Sequence, residues 1–256
     1  MIRSMMRIGL AVTGLIAPFA GTARADFVLN ATIRDFTPAT NPDFERFSNI
    51  DDRGIVQSHL GADGVPVYSG GTHPTITSAT TFYQWYHDTP GVNIAIQKSF
   101  NLIETSPGVF QYTNSSFFPI DGQGFGNYAN TGHNFHFTTE IHSNFIYHSG
   151  QYFTFTGDDD VFVFIDGRLA IDLGGSHNPE SQTITLDSWG LNAGQIYNLD
   201  IFHAERHTTA SNFGIRSNLS FTAVPEPSSF LLLGLAMSGL VLTSATRHYR
   251  SGRDSD

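Results

Sequence analysis

The chain has no cysteine in its 256 residues. Disulfides, thiolate nucleophiles and zinc–thiolate centres are all excluded, so stability must rest on an apolar core and any ion bound to it. Lysine is nearly absent as well. Lys98 is its single occurrence, and 13 Lys plus Arg face 23 Asp plus Glu. A nucleic-acid surface needs a basic face, and this composition supplies none. No heptad run, no clean internal repeat and no amphipathic helix stands between the two ends. Several catalytic patterns are missing too: there is no G-x-S-x-G elbow and no H-E-x-x-H. Gly122-x-Gly124-x-Gly126 lacks the spacing of a dinucleotide loop and no helical pattern follows, so it reads as a turn between strands. Asp158-x-Asp160-x-Phe162 breaks the EF-hand spacing at its third ligand.

What the chain does carry at its ends are two addresses. Residues 1–25 read as a secretory signal peptide: Arg3 and Arg7 form the basic region, residues 8–20 the apolar one, and Ala23-Arg24-Ala25 the cleavage site. Signal peptidase is the implied processing enzyme, and the mature chain begins at Asp26. Near the other end, Pro225-Glu226-Pro227 precedes an apolar stretch over residues 230–246, followed by Arg247, Arg250 and Arg253. That stretch is at the short limit of about 17 residues for a spanning helix, with a basic cytoplasmic flank. The arrangement resembles the PEP-CTERM sorting signal of Gram-negative, exopolysaccharide-producing bacteria. The resemblance implies transient anchoring in the inner membrane, removal of the tail by an exosortase and outward export. A permanent single-pass anchor is the alternative. In both cases residues 26–223 form one outward-facing domain, and residues 224–256 are the sorting segment.

With the ends removed, seven basic residues face twenty acidic ones, and the net charge moves from −10 to −13. Such a surface suits a soluble extracellular protein that binds cations or neutral sugars. The core is large enough: 22 Phe serve the chain, and a domain of this size buries roughly 70% of its unfolded surface.

The domain reads as all-β. Phe135, Phe137, Thr139 and Ile141 alternate with His136, Thr138, Glu140 and His142; Tyr197, Leu199 and Ile201 alternate with polar residues. Glycine-rich turns punctuate these runs. Many short strands in an exported chain predict a single β-sandwich or jelly roll. Residues 30–80 read as an irregular leading segment that packs on the sandwich, and residues 82–86 fit either a short helix or a strand. The strongest local signal is GDDDVFVFIDGRLAIDLGGSH, residues 157–177. Asp166-Gly167 between two apolar runs predicts a tight hairpin. Three carboxylates stand just before its first strand, and crowded carboxylates are either solvated or neutralised by a cation. Their ligand type favours a hard metal, foremost Ca²⁺.

His136, Glu140 and His142 fall on one face of an extended strand. Imidazole with carboxylate is a Zn²⁺ or Fe²⁺ ligand combination, so this face is the enzymatic rival, although its order departs from H-x-H-x₃₋₄-E. Surface polar pairing is the plainer reading, and no enzyme activity is expected.

The hairpin signature resembles the fibro-slime domain, a branch of the lectin-like β-sandwiches named after the anthrax protective antigen. The resemblance extends to IRDF (33–36), PDFE (42–45), WYHD (85–88), FFPIDGQGFGN (117–127), HNFHFTTEIH (133–142) and HAERHTTASNF (203–213). It implies a binding or matrix module for extracellular polysaccharide or another glycan, in an adhesion or biofilm context, rather than a catalyst. In lectin-like members two consecutive Asp joined by a cis peptide hold Ca²⁺, and sugar hydroxyls complete its shell. The matching positions are Asp158 and Asp159, with Asn212 as the counterpart of a late-loop Asn. The resemblance thus implies calcium and carbohydrate binding at Asp158, Asp159 and Asn212. The alternative is a structural matrix protein whose acidic cluster only stiffens a loop.

Overall fold

Alternating apolar residues build most of the strands seen in the computed structural model, which describes residues 26–46, 49–129 and 131–222. The signal peptide and the sorting segment lie outside the described residues. Among the described residues no helix is long and apolar enough to cross a membrane. The elements run β1 (Phe27–Asp35), β2 (Ile50–Asp51), α1 (Ala79–Tyr83), β3 (Ile94–Ser106), β4 (Val109–Asn114), β5 (Phe137–Ile146), β6 (Tyr152–Gly157), β7 (Asp160–Ile165), β8 (Arg168–Leu173), β9 (Gly175–Ser176), β10 (Glu180–Thr185), β11 (Ile196–Glu205), β12 (Phe213–Ser217) and β13 (Ser220–Thr222).

The main sheet follows the order β10-β6-β12-β4-β3-β1-β5-β11-β7-β8, with β13 beside β5 and a small β2-β9 pair apart. Every named pairing is antiparallel. β3 joins two layers. Its first part pairs β1 from Ile94 to Leu102, and its last part pairs β4 from Ile103. At the far edges β8 and β10 approach each other, so the all-β sandwich comes close to closing as a barrel. Leu29, Ile33, Ile141, Val163 and Ile201 from one layer meet Phe153, Phe155, Phe213 and Ile215 from the other.

The first strand departs from the sequence reading. Residues 30–35, read as the start of an irregular segment, instead belong to a central strand, residues 27–35, between β3 and β5. Leu29, Ala31 and Ile33 alternate with polar neighbours in the ordinary strand period, and the prolines that suggested irregularity begin only at Pro38. The rest of the leading segment, with residues 82–86 that follow it, covers the outer face of the layer holding β7 and β11. There Phe162, Phe164 and Phe202 pack against Phe36, Phe44, Phe82 and Trp85. Cutting one of these rings back to Ala would cost about 3–5 kcal/mol. α1 belongs to this cover. Ser78 and Thr81 cap it reciprocally, and Phe82 is its buried residue.

β7 is therefore buried on both faces, which is why residues 161–165 read as an unbroken apolar run rather than an alternating one. The hairpin forms as the sequence predicts. Asp166 and Gly167 have φ of 51° and 71°, the two positive values of a type I′ turn, which Gly tolerates without strain.

Candidate functional site

Strand register builds the acidic rim. Phe213 of β12 pairs with Gly157 of β6, and Ala204 of β11 pairs with Asp160 of β7. Residues 158–159 and the loop 206–212 are thereby forced side by side at one end of the sandwich. The Asp158–Asp159 peptide bond is cis.

Asp158 is held by Asn212 twice: the backbone N–H donates to Oδ1 at 2.5 Å and the side-chain amide to Oδ2 at 3.0 Å. Asp159 Oδ1 accepts from Ser176 Oγ at 3.1 Å, and Oδ2 from the Arg206 backbone N–H at 3.0 Å. Asp160 turns away from both. Its Oδ2 accepts from Arg206 Nε at 2.5 Å and its Oδ1 from the Gly175 N–H at 2.7 Å. Arg206 also donates from Nη1 to the Thr75 carbonyl at 2.8 Å and lies 4.8 Å from the Trp85 ring centroid. The structure thus brings Asp158, Asp159 and Asn212 together, and it gives Asp160 to Arg206.

Among the described residues the rim's acids share one guanidinium, that of Arg206. Burial, helped by the charges of Asp160 and Asp158 and opposed by Arg206, pushes the Asp159 carboxyl up to about 7. Burial raises Asp158 as well, against the two Asn212 hydrogen bonds. Glu205 lies beneath them, its carboxyl pushed well above the usual range by burial and by Asp159 and Asp158, with Oε2 unpartnered. His203, lowered by burial to about 4, is neutral and donates from Nε2 to the Asp158 carbonyl at 2.7 Å.

The oxygens of Asp158, Asp159 and Asn212 are of the donor type that hard cations take. Each oxygen of Asp158 and Asp159 accepts one hydrogen bond and so keeps acceptor capacity. The Asn212 amide donates its NH₂ to Asp158, and no hydrogen bond to its amide oxygen occurs among the described residues. The set is two carboxylates and an amide; among the described residues no group of three His, Cys, Asp or Glu side chains is placed to hold a metal ion.

That finding bears equally on the His136, Glu140 and His142 face, which does not converge. His136 is buried and pairs with Glu45 at 3.0 Å, where His207 joins at 2.8 Å. His142 is gripped instead by Glu140 and Asp200, both at 2.7 Å. Glu140 is bound in turn by Arg34 at 2.5 Å. Burial alone would lower His142, but its two carboxylate hydrogen bonds raise it to about 9. A protonated imidazole has no lone pair for a metal.

The residues that sequence reasoning missed at the rim are Arg206, Glu205, His203 and Ser176. Their signal lay in HAERH and GGSH, which stand out only as motifs, without a stated role.

The site is thus an all-β sandwich rim with adjacent buried carboxylates, one of them held by a loop amide. The PA14 domain family matches residues 124–227, which include this rim. The PEP-CTERM protein-sorting motif matches residues 223–247 and marks the chain as exported. Protein psiD of Dictyostelium discoideum is 47% identical over 210 residues, covering 76% of this chain and 42% of psiD. Protein psiC of the same organism is 45% identical over 224 residues, covering 80% of this chain and 43% of psiC. The chain thus spans less than half the length of these relatives. Among solved structures, the PA14 sugar-binding domain from an RTX adhesin shares 13% identity at a TM-score of 0.26, covering 35% of this chain and 52% of that one. Likeness at that level adds nothing about the site.

Proposed function

We propose that this is an exported, non-catalytic glycan-binding protein whose rim at Asp158, Asp159 and Asn212 holds Ca²⁺ and presents it to sugar hydroxyls. The observation that carries the reading is the junction of Asn212 with the Asp158 carboxylate, beside an Asp159 carboxyl raised by burial next to like charges. Ca²⁺ accepts six to eight oxygens in loose geometry. Two carboxylates, main-chain carbonyls and the Asn212 amide oxygen would supply several, and the ion's charge would let Asp158 and Asp159 stay ionised while buried. A sugar as partner is in keeping with the PA14 family match, a family that includes a domain described as sugar-binding in an RTX adhesin. The sorting motif supports a place at the surface or in the extracellular matrix of a Gram-negative bacterium, after exosortase processing in the inner membrane. On this reading the partner is an extracellular polysaccharide, as in a biofilm matrix.

One observation favours a second reading, a structural matrix protein. Asp158 and Asp159 are only 2% and 5% exposed, so a cation there could be enclosed by protein and stiffen the rim without meeting a sugar.

Calcium titration of the full chain, followed by thermal unfolding, tests the proposal. An ion that binds only the folded state at 100 times its Kd adds about 2.7 kcal/mol, roughly 5–10 °C for a domain of this size. Asp158→Asn and Asp159→Asn should remove that shift and calcium-dependent retention on a glycan array. Asp187→Asn, an acidic change away from the rim whose carboxylate bonds Tyr147 and Gly150, should change neither. A calcium-induced shift without glycan retention selects the matrix reading, and a melting temperature indifferent to calcium and EDTA refutes the cation site.

A further inference from the structure

The opposite end of the β7–β8 hairpin is open where the acidic rim is closed. Residues 61–64 form a turn seated against the hairpin: the Leu60 N–H donates to the Gly167 carbonyl at 3.0 Å, and the Gly61 N–H to the Val65 carbonyl at 2.9 Å. A cavity of about 500 Å³ opens on one side of this turn, walled by Val65, Pro66, Tyr68, Phe82 and Tyr83, with Asp63 and His87 as its polar members. A second cavity of about 620 Å³ opens on the other side, where Asp63, Asn144, Asp166, Asn198 and Asp200 are among the lining residues. Asp63 belongs to both.

Tyr83 is 56% exposed, so its ring contributes little to the core. It is nevertheless fixed in place. The ring stacks on His87 with centroids 3.6 Å apart and planes 12° from parallel. His87 is tied at both nitrogens, Nδ1 to the Tyr83 carbonyl at 2.7 Å and Nε2 to Asp63 Oδ2 at 2.9 Å. An aromatic plate, its imidazole backing and a carboxylate thus form one braced unit on the wall of a cavity. Apolar walls with a few converging polar groups are the ordinary form of a small-ligand site.

The ligand chemistry follows from the pieces. A pyranose has one C–H face, which an aromatic ring attracts through its negative π-face, and a rim of hydroxyls, which an ionised carboxylate accepts in charge-assisted bonds. The hydrogen bond from His87 holds the Asp63 carboxyl below its usual range, so it is ionised at neutral pH. Asp63, Asp166 and Asp200 line the second cavity together with the protonated His142 that pairs with Asp200; its charge stays negative on balance, and anionic sugars would be repelled from it. A chain crossing the turn would lay one ring on the apolar side and the next among amides and carboxylates.

We propose that this end of the sandwich is a metal-independent binding site for a non-acidic glycan chain, with a pyranose ring on Tyr83 and its hydroxyls on Asp63. The site does not use the acidic rim, so EDTA separates the two. Calorimetric titration of the full chain in EDTA, with cellohexaose and chitohexaose as neutral probes and an oligogalacturonide as the acidic one, tests it. At least one neutral probe should bind and the acidic one should not. Tyr83→Ala and Asp63→Asn should each weaken binding about tenfold, Tyr83→Phe should preserve it, and Asp158→Asn should leave it unchanged. The proposal is overturned if neither neutral probe binds in EDTA, if binding survives both Tyr83→Ala and Asp63→Asn, or if the acidic probe binds equally well.

Discussion

Replacing Arg206 by Met should be among the most damaging single changes in this protein. Arg206 is 2% exposed and its partner Asp160 is 0% exposed, so the pair is fully desolvated. The guanidinium bonds Asp160 from Nε, reaches the carbonyls of Thr75 and Asp43 from Nη1, and stacks near Trp85. Methionine matches much of the volume but supplies no charge. Asp160 would then have to take a proton or draw water into the rim, while Asp159 would lose the cation nearest to it. Removing one partner of a buried pair costs about 3–5 kcal/mol, a large share of the roughly 5–15 kcal/mol that holds a domain folded. For a domain of this size that is roughly 6–20 °C of melting temperature. Urea unfolding of wild type, Arg206→Met, Asp160→Asn and the double variant completes a thermodynamic cycle. The double variant should be more stable than Arg206→Met alone, because the stranded carboxyl is gone. A loss below about 1 kcal/mol in Arg206→Met, or a double variant no better than the single, would refute the reasoning.

Two smaller predictions concern groups away from the rim. His142 is raised in the folded state to about 9 from 6.5, so its contribution is complete below pH about 6.5 and is lost as pH rises through about 9. Because 47% of its side chain meets solvent, the effect is modest; the urea midpoint should fall from pH 6 to 10 more steeply in wild type than in His142→Gln, and equal slopes would contradict it. Gly124 has φ +59°, and a Cβ there would sit 2.1 Å from Asp35 Oδ2, an atom that already accepts from the Phe125 N–H at 2.5 Å. Gly124→Ala should therefore cost more than Gly126→Ala, where φ is +90° but the space is open and the loss is about 1 kcal/mol; equal losses by chemical denaturation would count against the close contact.

The hairpin was the most legible part of the chain, because Asp166-Gly167 satisfies a local backbone demand that no distant contact has to supply. The all-β class followed from alternation that survives in β5 and β11. β1 was obscured because prolines just beyond it coloured the reading of the whole leading segment. The acidic rim was visible as composition, and Asn212 came within reach only through the order of family motifs. Arg206 was not legible as the partner of Asp160. The two are 46 positions apart, and only the register of Ala204 on Asp160 and Phe213 on Gly157 brings their loops together. The His136, Glu140 and His142 face fails for a related reason. Strand period places the three on one side, but Glu45 and Asp200 reach them from other segments and divide the set.

A strand buried on both faces can carry no charge along its length, so charge must gather where it begins and ends. β7 shows the consequence. Between Val161 and Ile165 it is apolar and inaccessible on either side, while Asp158, Asp159 and Asp160 crowd its start and Asp166 marks its turn. The two ends solve the electrostatic problem differently. At the turn Asp63 and Asp166 face open cavities, where water screens them and a polar ligand can enter, and the buried Asp200 is paired with His142. At the start the leading segment has closed over the strand, bringing Asp43, Thr75 and Trp85 onto Arg206. Water can no longer screen the carboxylates there, and one guanidinium must serve Asp159 and Asp160 together. Neutral His203 and a raised Glu205 add no positive charge. The cover that gives a cysteine-free chain its second core is thus also what buries the rim carboxylates and makes Arg206 their guanidinium partner among the described residues.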